Sequence, residues 1–417
     1  MSELFIESIG DAGDGVASLH GARIYAPLAL PGERVMAQVL GGRALRIEVL
    51  AASLDRVEAP CPHFGACGGC ALQHWRDEAA LAWKREVIVR ALSRVGIKTE
   101  VLATVAIGPR TRRRLSLHAR REGGSVVLGF KARRSHRLAP ISTCLLAHPR
   151  LEAALADLRS LAEPFFEHPA SAPTLHATWT LTGLDVDVSG VFARNGGLSA
   201  DASARAASLA ESADLARLSV AGDPIYCARP AVIAFGRACV SLPPGAFLQA
   251  SFEAEEAMAA FALAHSDGAS RIADLFSGSG AFALRLAERA RVSAVDASPS
   301  ALAALADAAR STDRLCAVET EVRDLFRRPL TPRELQSFDL VIFDPPRAGA
   351  AAQAEALAAA DVEQVIAVSC NPATFARDAR LLVEGGYHLQ KIIPVDQFQW
   401  SPHVELIAAF KRRGRTK

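Results

Sequence analysis

The sequence lacks the features that define several protein classes. No apolar run reaches the roughly 18 residues that a membrane span needs. The opening stretch, MSELFIESIGDAGDG, has no basic segment followed by an apolar one, so it does not predict a secretory signal peptide. There is no internal repeat, and 50% of the 417 residues are hydrophobic, which excludes wholesale disorder. We therefore expect a cytoplasmic globular protein of two or three domains, without a membrane partner.

The sequence also has little net charge. The 47 Lys and Arg residues nearly balance the 45 Asp and Glu residues, which taken alone argues against a dedicated nucleic-acid-binding protein. However, the charges are divided unevenly along the chain. Residues 1–150 contain 22 basic and 13 acidic residues, whereas residues 151–417 contain 25 basic and 32 acidic ones. The excess of basic residues in the first third of the chain is compatible with binding to a phosphate backbone. The small net charge of the whole chain therefore does not exclude RNA as a partner.

Three clusters of positive charge stand out. Two of them lie within residues 1–150, and the third is formed by the last seven residues given. They are Arg110, Arg112, Arg113 and Arg114; Lys131, Arg133, Arg134, His136 and Arg137; and the final KRRGRTK. A solvated face is the ordinary interpretation of any single charge run. Two clusters within one basic region predict contacts with phosphates, which require Lys and Arg but little specific geometry.

The chain divides into three segments by pattern. Residues 1–58 alternate apolar and polar residues between frequent Gly and Pro, which predicts a small OB-like β-barrel. Residues 59–240 give a mixed α+β signal, with a loop rich in Cys and Gly at its start and Ala-rich helices expected at 150–163 and 201–217. Within residues 241–417, short apolar strands alternate with helices from about residue 270, which predicts a doubly wound, parallel α/β sheet.

Chemically active side chains follow the strands of this last segment. In a doubly wound sheet, ligands bind beyond the carboxyl ends of the strands. The residues expected at such ends are Phe276, Asp296, Asp324, Asp344 and Cys370. Their coincidence at one edge of the sheet is the strongest internal indication of a site.

A glycine turn follows the first of these strands, in Asp274-Leu-Phe-Ser-Gly-Ser-Gly280. Gly278 and Gly280 allow the backbone to approach a ligand closely. The full G-x-G-x-x-G pattern is absent, which disfavours a dinucleotide and an iron–sulfur oxidoreductase that would use one. Asp296, 18 residues after Gly278, can accept hydrogen bonds from ribose hydroxyls, although it could instead cap a helix, for which Ser298 is better placed. One acid after each of three strands favours S-adenosylmethionine.

Cys370 and Glu405 suggest a particular chemistry. Cys370 precedes a predicted helix whose dipole favours a thiolate, although a small buried hydrophobe is the alternative. Glu405 opens the last strand, where a surface carboxylate is the alternative. A thiolate that adds to C6 of a pyrimidine turns C5 into a nucleophile for a methyl group, and a base then removes the C5 proton. Together with S-adenosylmethionine, these residues indicate methylation of a pyrimidine at C5.

These motifs resemble the RNA uracil-5-methyltransferases, which make 5-methyluridine in 23S rRNA and tRNA. The matching stretches, within about residues 240–410, are PPGAFLQASFEAE, DLFSGSGAF, VIFDPPRAG, VSCNPATFARD and HVELIAAF. The resemblance implies a class I methyltransferase domain, Cys370 as nucleophile and Glu405 as proton acceptor. It also implies contacts with the cofactor or the target uracil by Gln249, Phe276, Asp296, Asp324 and Asp344. The chain departs from the usual pattern of the family at Ser251, Ser277, Ala281 and Asp296.

A second resemblance lies in the cysteines. Cys61-x5-Cys67-x2-Cys70, with Cys144 downstream, is similar to the 4Fe-4S site of the rRNA branch of this family. Four thiolates also suit zinc, although the x5 spacing is unlike the paired knuckles of a zinc ribbon, and free thiols are the third possibility. The cluster branch implies 23S rRNA as the substrate rather than tRNA. Residues 1–58 resemble the TRAM RNA-binding module only loosely.

The other cysteines and the competing functions complete the expectations. Cys227, Cys239 and Cys316 belong to no motif and are expected in apolar packing. The Asp-Pro-Pro sequence at Asp344 also resembles motifs of base amino-methylation, but that reaction requires no covalent adduct and would not use Cys370 with Glu405. A non-catalytic RNA-binding protein would leave Cys370 idle. A monomer is the default expectation.

Overall fold

The computed structural model describes residues 1–192 and 198–412, so residues 413–417 of the predicted basic tail lie outside the described part. In the described ranges, 23 strands form four sheets, accompanied by ten α-helices and one short 3-10 helix, Glu163–Phe165. No helix in these ranges is long and apolar enough to cross a membrane.

The first 51 residues form a six-stranded sheet. Its strands are β1 (Ser2–Phe5), β2 (Ser8–Ile9), β3 (Gly15–Leu19), β4 (Ala22–Ala26), β5 (Arg34–Leu40) and β6 (Arg43–Ala51). They lie in the order β1-β5-β6-β4-β3-β2, and only the β4–β6 pair is parallel. Alternate residues such as Leu4, Ile24 and Val35 point into a small apolar core, which explains the period of two in the sequence. The short predicted strands are therefore confirmed, and the assignment of a barrel remains a prediction.

A seven-stranded sheet follows in the middle of the chain. Its strands are β8 (Arg114–Glu122), β9 (Ser125–Lys131), β10 (Leu138–Pro140), β11 (Thr174–Thr180), β12 (Gly183–Ser189), β13 (Leu215–Val220) and β14 (Asp223–Cys227), in the order β10-β9-β8-β11-β12-β13-β14. The helices here are α2 (Pro149–Ala153), α3 (Leu155–Leu161) and α4 (Ala200–Ser212). The helix expected over 201–217 ends early because Asp214 has a positive φ of 50° and the next residues form a buried strand.

The last part of the chain forms an eight-stranded sheet. Its strands are β17 (Arg271–Leu275), β18 (Arg291–Asp296), β19 (Val318–Val322), β20 (Leu340–Phe343), β21 (Gln364–Ser369), β22 (Tyr387–Asp396) and β23 (Glu405–Arg412), joined by β7 (Val105–Ala106). The order is β19-β18-β17-β20-β21-β23-β22-β7, with β23 antiparallel to its neighbours. All four residues of β20 are buried, as expected of a strand covered on both faces.

Helices cover both faces of this sheet. They are α5 (Phe252–Ala264), α6 (Ala283–Leu286), α7 (Pro299–Ser311), α8 (Pro332–Leu335), α9 (Ala351–Ala359) and α10 (Pro372–Glu384). Helix α1 (Asp77–Arg94) also packs here, since its Ile88 and Leu92 belong to the same core as Leu275. The hairpin β15 (Val232–Phe235) and β16 (Ala238–Ser241) packs against the other face. Elements from the expected central segment thus join this core, and the boundaries at 58 and 240 remain predictions.

Part of the first basic cluster is engaged inside the protein, whereas Arg110 is exposed and Arg112 and Arg114 line the cleft described below. Arg113 is 6% exposed, pairs with the buried Glu255, and donates to the Gln249 carbonyl at 3.2 Å. Arg114 donates to the Leu248 carbonyl at 3.0 Å. Arg110 pairs with Glu152 at 2.8 Å. The cluster joins the central sheet to the C-terminal part, because carboxylates and carbonyls of neighbouring elements lie opposite its guanidinium groups.

The second basic cluster is partly neutralised in the same way. Asp14, which is 1% exposed, lies 3.0 Å from both Arg133 and Arg134 and 3.2 Å from Arg43. A buried carboxylate is stable when it is paired and hydrogen-bonded. Two of the expected phosphate ligands are therefore engaged in holding the loop after β9 against the N-terminal sheet.

The buried Glu255 predicts a large stability effect. Its carboxylate pairs with Arg113 and, at 3.0 Å, with Arg285. Glu255→Gln leaves the buried Arg113 without a carboxylate and leaves Arg285 with only the half-exposed Glu256, so we expect the free energy of unfolding to fall by about 3–5 kcal/mol. Denaturant unfolding followed by circular dichroism measures the loss. The control Glu256→Gln removes a half-exposed partner of Arg285 and should cost about 1 kcal/mol or less. Equal losses in the two variants would contradict the interpretation.

Candidate active site

A cleft of about 1080 Å³ opens at the carboxyl edge of the C-terminal sheet. Most of the site residues expected from the sequence line this cleft: Gln249, Phe276, Gly278, Asp296, Asp324, Asp344, Cys370, Glu405, Cys61, Cys67, Cys70 and Cys144. The remaining one, Gly280, does not line it. The strand-end pattern and the amino-terminal cysteines thus converge on one space.

Two carboxyl groups in the cleft, the half-buried Asp344 and the buried Glu405, are joined by two amide side chains. The Gln249 Nε2 donates to Asp344 Oδ2 at 2.8 Å. The Gln397 Nε2 donates to Gln249 Oε1 at 2.9 Å and to Glu405 Oε2 at 2.7 Å. All four side chains therefore form one continuous hydrogen-bonded chain across the floor of the cleft.

Sequence reasoning missed Gln397, although a signal for it exists. Gln397 directly follows β22, and both β21 and β22 run antiparallel to β23. The carboxyl ends of β21 and β22 consequently lie at the same edge, and Gln397 satisfies the strand-end criterion that identified Cys370. It was overlooked because the stretch DQFQW carries no recognised motif.

Burial and a neighbouring charge shift the ionisation of the site. Burial raises the pKa of Asp344 to about 7, against the opposing hydrogen bond from Gln249. Burial also holds the pKa of Glu405 well above its usual range, and the negative charge of Asp344 adds to the effect. Two carboxyl groups that resist ionisation together are typical of a site adapted to proton transfer.

Cys370 follows β21 and precedes α10, as the sequence predicts, but its ionisation differs from the expectation. Burial raises the pKa of the Cys370 thiol, and the charge of Glu405 raises it further, while Arg347 opposes the shift. The expectation that the helix terminus favours a thiolate is therefore wrong for the free protein. Burial is the largest cause of this shift, and the charges of Glu405 and Asp344 add to it.

The start of α10 is fixed to the loop after β20. The Asn371 Oδ1 accepts from the Ala373 N–H at 3.1 Å and caps the helix. The Asn371 Nδ2 and the Thr374 Oγ1 both donate to the Arg347 carbonyl, at 3.1 and 3.3 Å. These contacts hold the loop of Asp344 and the Cys370 backbone in one rigid arrangement.

The turn after β17 has the geometry of a ligand-binding loop. Phe276 has a φ of +62°, which is rare and costly for a residue with a side chain. Its ring lies 5.4 Å from that of Phe326. The Gly278 N–H donates to Asp296 Oδ2 at 2.9 Å, and the Ser298 N–H donates to Oδ1 of the same carboxylate at 2.7 Å. Asp296 thus holds the turn against the end of β18.

Neighbouring residues have supporting roles. Gly280 has a φ of +99°, and a Cβ there would lie 2.8 Å from Leu305, so packing against α7 accounts for this glycine. Ser298 accepts from the Ala301 N–H at 3.3 Å and caps α7, as the sequence predicts. Asp324 is exposed and accepts from the Phe326 N–H at 3.0 Å.

Buried polar atoms without partners indicate room for a polar ligand. Within the described ranges, the Ser279 hydroxyl is buried and has no hydrogen-bond partner. Such groups are unfavourable unless a ligand or water satisfies them. Ser279 lines the cleft beside Gly278 and Asp296, so this part fits a ligand with hydroxyl and amine groups.

The four motif cysteines face another wall of the same cleft. Each of Cys67, Cys70 and Cys144 has its thiol pKa raised by burial and by the charge of the other motif cysteines, to about 12 for Cys70. No three His, Cys, Asp or Glu residues of the described part converge closely enough for a single metal ion.

The remaining cysteines differ from the expectation of apolar packing. Cys227 and Cys239 are exposed, and only Cys316 is partly buried. Cys227 is the last residue of β14. Cys239 lies in β16, the second strand of a hairpin with a two-residue turn, where alternate residues point to solvent.

Comparison with known proteins identifies the family. The family model described as tRNA (Uracil-5-)-methyltransferase matches residues 237–413. A Caulobacter vibrioides protein named as an uncharacterized RNA methyltransferase is 51% identical over 99% of this chain and 100% of its own length. The chain belongs to this RNA methyltransferase family. The predicted reaction class, methylation of uracil C5 in RNA, is thereby confirmed.

Two further proteins place this methyltransferase within its family. The Chromohalobacter salexigens 23S rRNA (uracil(1939)-C(5))-methyltransferase RlmD is 35% identical over 99% of this chain and 90% of its own length. The Pyrococcus abyssi tRNA (uracil-54, C5)-methyltransferase, solved with S-adenosyl-L-homocysteine, superposes with a TM-score of 0.75 at 22% identity, over 98% of this chain and 100% of that one. The second likeness confirms the predicted α/β methyltransferase fold.

The raised pKa of Asp344 predicts how stability depends on pH. The folded protein keeps this proton up to about pH 7, whereas the unfolded chain releases it near pH 4. Between these values the unfolded state binds fewer protons, so the Asp344 contribution lowers stability as pH rises, by at most about 1.4 kcal/mol per pH unit. Asp344→Asn should therefore flatten the dependence of the unfolding free energy on pH between 4 and 7. An unchanged slope would show that Asp344 is ionised in the folded protein.

Proposed function

We propose that this methyltransferase transfers a methyl group from S-adenosylmethionine to C5 of a uridine in RNA, with Cys370 as nucleophile and Glu405 as base. The observation that carries the proposal is the joint presence of a thiol and a buried carboxyl group in one cleft, close enough that the Glu405 charge raises the pKa of the thiol. Amino-methylation would require neither group. A nucleophile and a base within reach of one another are the minimum for C5 alkylation.

The reaction divides into two halves at these residues. The Cys370 thiol first releases its proton to solvent. The resulting thiolate bonds to C6 of the uracil, which makes C5 electron-rich, and C5 then takes the methyl group from the sulfonium of the donor. Glu405 then accepts the proton from C5, the C5=C6 double bond forms again, and the sulfur leaves C6. The thiolate is regenerated, and the products are 5-methyluridine and S-adenosylhomocysteine.

The polar groups of the cleft suit the two ligands. We assign the S-adenosylmethionine side to the Phe276 turn with Gly278, Ser279, Asp296 and Asp324, where backbone strain and partnerless atoms occur. We assign the uracil edge to Gln249 and Asp344, because an amide and a carboxyl group can both donate to and accept from the polar edge of a pyrimidine. Asp344 can donate since its raised pKa keeps part of the population protonated.

We propose that the RNA is 23S rRNA. The support is the 35% identity to an RlmD protein over nearly the whole chain and the presence of the cysteine motif. The alternative is a tRNA, as the description of the family model suggests. We place the reaction in the cytoplasm, where thiols such as Cys370 remain reduced.

We further propose that Cys61, Cys67, Cys70 and Cys144 hold a 4Fe-4S cluster. The donor set supports this assignment: four thiols face one wall, and the Gly69 N–H donates to the Cys67 sulfur at 3.4 Å, as backbone amides do around clusters. The cluster would supply a rigid link between the cysteine loop, residues 61–70, and the loop between β10 and α2 that contains Cys144. The methylation chemistry requires no electron transfer from it.

Cys370→Ala tests the nucleophile. RNA carrying 5-fluorouridine should trap the wild-type protein covalently, because C5 then has no removable proton, and Cys370→Ala should give neither adduct nor 5-methyluridine. Denaturing electrophoresis and mass spectrometry of the RNA detect both. Cys227→Ala, at an exposed thiol outside the cleft, is the matched control and should retain full activity. Adduct formation by Cys370→Ala would refute the assignment.

The cluster makes a separate prediction. Protein purified without oxygen should be brown, with about four iron atoms and four sulfides per chain. Cys61→Ser should lose the colour and the iron, whereas Cys316→Ser, the control, should keep both. Colourless protein with one zinc ion per chain would contradict the cluster.

A further inference from the structure

One side chain at the centre of the cleft has no role in the reaction as described above. Gln397 is 6% exposed and lies between Gln249 and Glu405. A buried amide requires partners for both of its ends. The hydrogen bonds that Gln397 makes to Gln249 and to Glu405 therefore restrict the orientation of these two side chains.

A single backbone amide sets the orientation of Gln397. The Ala250 N–H points at the Gln397 side chain at 3.0 Å, and because an N–H can only donate, the atom facing it must be the oxygen Oε1. The nitrogen Nε2 therefore faces Glu405 and Gln249, and its two hydrogens serve one acceptor each. The orientation of this amide follows from hydrogen-bond chemistry alone.

The same logic extends to the next amide. Gln249 Oε1 accepts from Gln397, so Gln249 must direct its own Nε2 towards Asp344, where the distance is 2.8 Å. The series of hydrogen bonds thus runs in one direction, from the Ala250 N–H through Gln397 and Gln249 to the Asp344 carboxyl group. On Glu405, the contact occupies Oε2, and Oε1 makes no side-chain hydrogen bond among the described residues.

The backbone around Gln397 is also held. The buried Lys84 ammonium pairs with Asp396 and donates to the Phe398 carbonyl at 3.0 Å. These two residues flank Gln397, so α1 holds the loop after β22 on both sides of it. Position and orientation of the amide are therefore both determined by the fold.

We propose that Gln397 is a positioning residue that holds the Glu405 carboxylate with Oε1 directed towards C5 of the target base. This inference rests on the proposed function. It assigns to Gln397 the second half of the reaction, in which the proton leaves C5, and not the addition of Cys370 to C6. A misplacement of a catalytic group by about 1 Å can slow a step about 100-fold.

Gln397→Met tests this role, because methionine matches glutamine in length and lacks both hydrogen-bonding ends. The first substrate is uridine RNA tritiated at C5, from which loss of the C5 hydrogen is measured as tritium released into water. We expect this release to slow about 10- to 100-fold in Gln397→Met. The methylated covalent adduct should then accumulate on Cys370, visible as a protein–RNA band. With 5-fluorouridine RNA, where no proton can leave, the adduct should form at close to the wild-type rate.

Two further variants make the result decisive. Gln399→Met is the matched control: it is two residues away, outside the cleft, and donates only a weak contact to Asp77 at 3.5 Å, so tritium release should be unchanged. If Gln397→Met does not fold, Gln397→Glu replaces it, since that side chain keeps the acceptor for Ala250 and cannot donate both hydrogens. It should show the same adduct accumulation.

The outcomes separate this inference from the proposed function. Wild-type tritium release in Gln397→Met, or equal slowing of adduct formation and proton release, would overturn the positioning role. Failure of the proposed function would appear differently, as the absence of any adduct with wild-type protein or its persistence in Cys370→Ala.

Discussion

Two carboxyl groups at one sheet edge are the constraint on which the site depends. Asp344 follows a parallel strand and Glu405 begins an antiparallel one, so the reversal of β23 brings the amino end of one strand to the carboxyl ends of the others. Burial raises the pKa of both groups, and the charge of Asp344 raises the pKa of Glu405 further. The amides of Gln249 and Gln397 make this arrangement stable by giving the carboxyl oxygens hydrogen-bond donors where water is largely excluded.

The rest of the molecule holds this edge in place. The buried Glu255 ties Arg113 of the central part to Arg285 behind the glycine turn. Lys84 of α1 fixes the loop of Gln397 through Asp396. Arg113 of the first basic cluster therefore stabilises the junction of the segments, and the cleft forms where the segments meet. A site built at such a junction lets one chain bring a cysteine-rich wall and a methyltransferase sheet to one cleft.

The C-terminal sheet and most of its edge were predictable because the signals are local. Apolar runs such as β20 mark strands buried on both faces, and the residues that follow them share an edge by geometry. The charge clusters were not predictable, since Arg113 and Arg134 are distinguished from solvated arginines only by carboxylates distant in sequence, Glu255 and Asp14. The ionisation of Cys370 was mispredicted for a similar reason: the local helix favours a thiolate, whereas burial in the fold and the charge of Glu405, distant in sequence, raise the pKa of the thiol. Gln397 could have been predicted because it directly follows a strand that ends at this edge, but the sequence around it matches no recognised motif.

The central claim is that this cleft methylates uracil C5 in RNA, and mapping of 5-methyluridine in cells tests it most directly. Total 23S rRNA and tRNA from a strain without the protein would be digested and compared by mass spectrometry with RNA from strains complemented by wild type or by Cys370→Ala. The account predicts that one 5-methyluridine is missing from 23S rRNA, that wild type restores it, and that Cys370→Ala does not. Unchanged 5-methyluridine in both RNA classes, or restoration by Cys370→Ala, would contradict it.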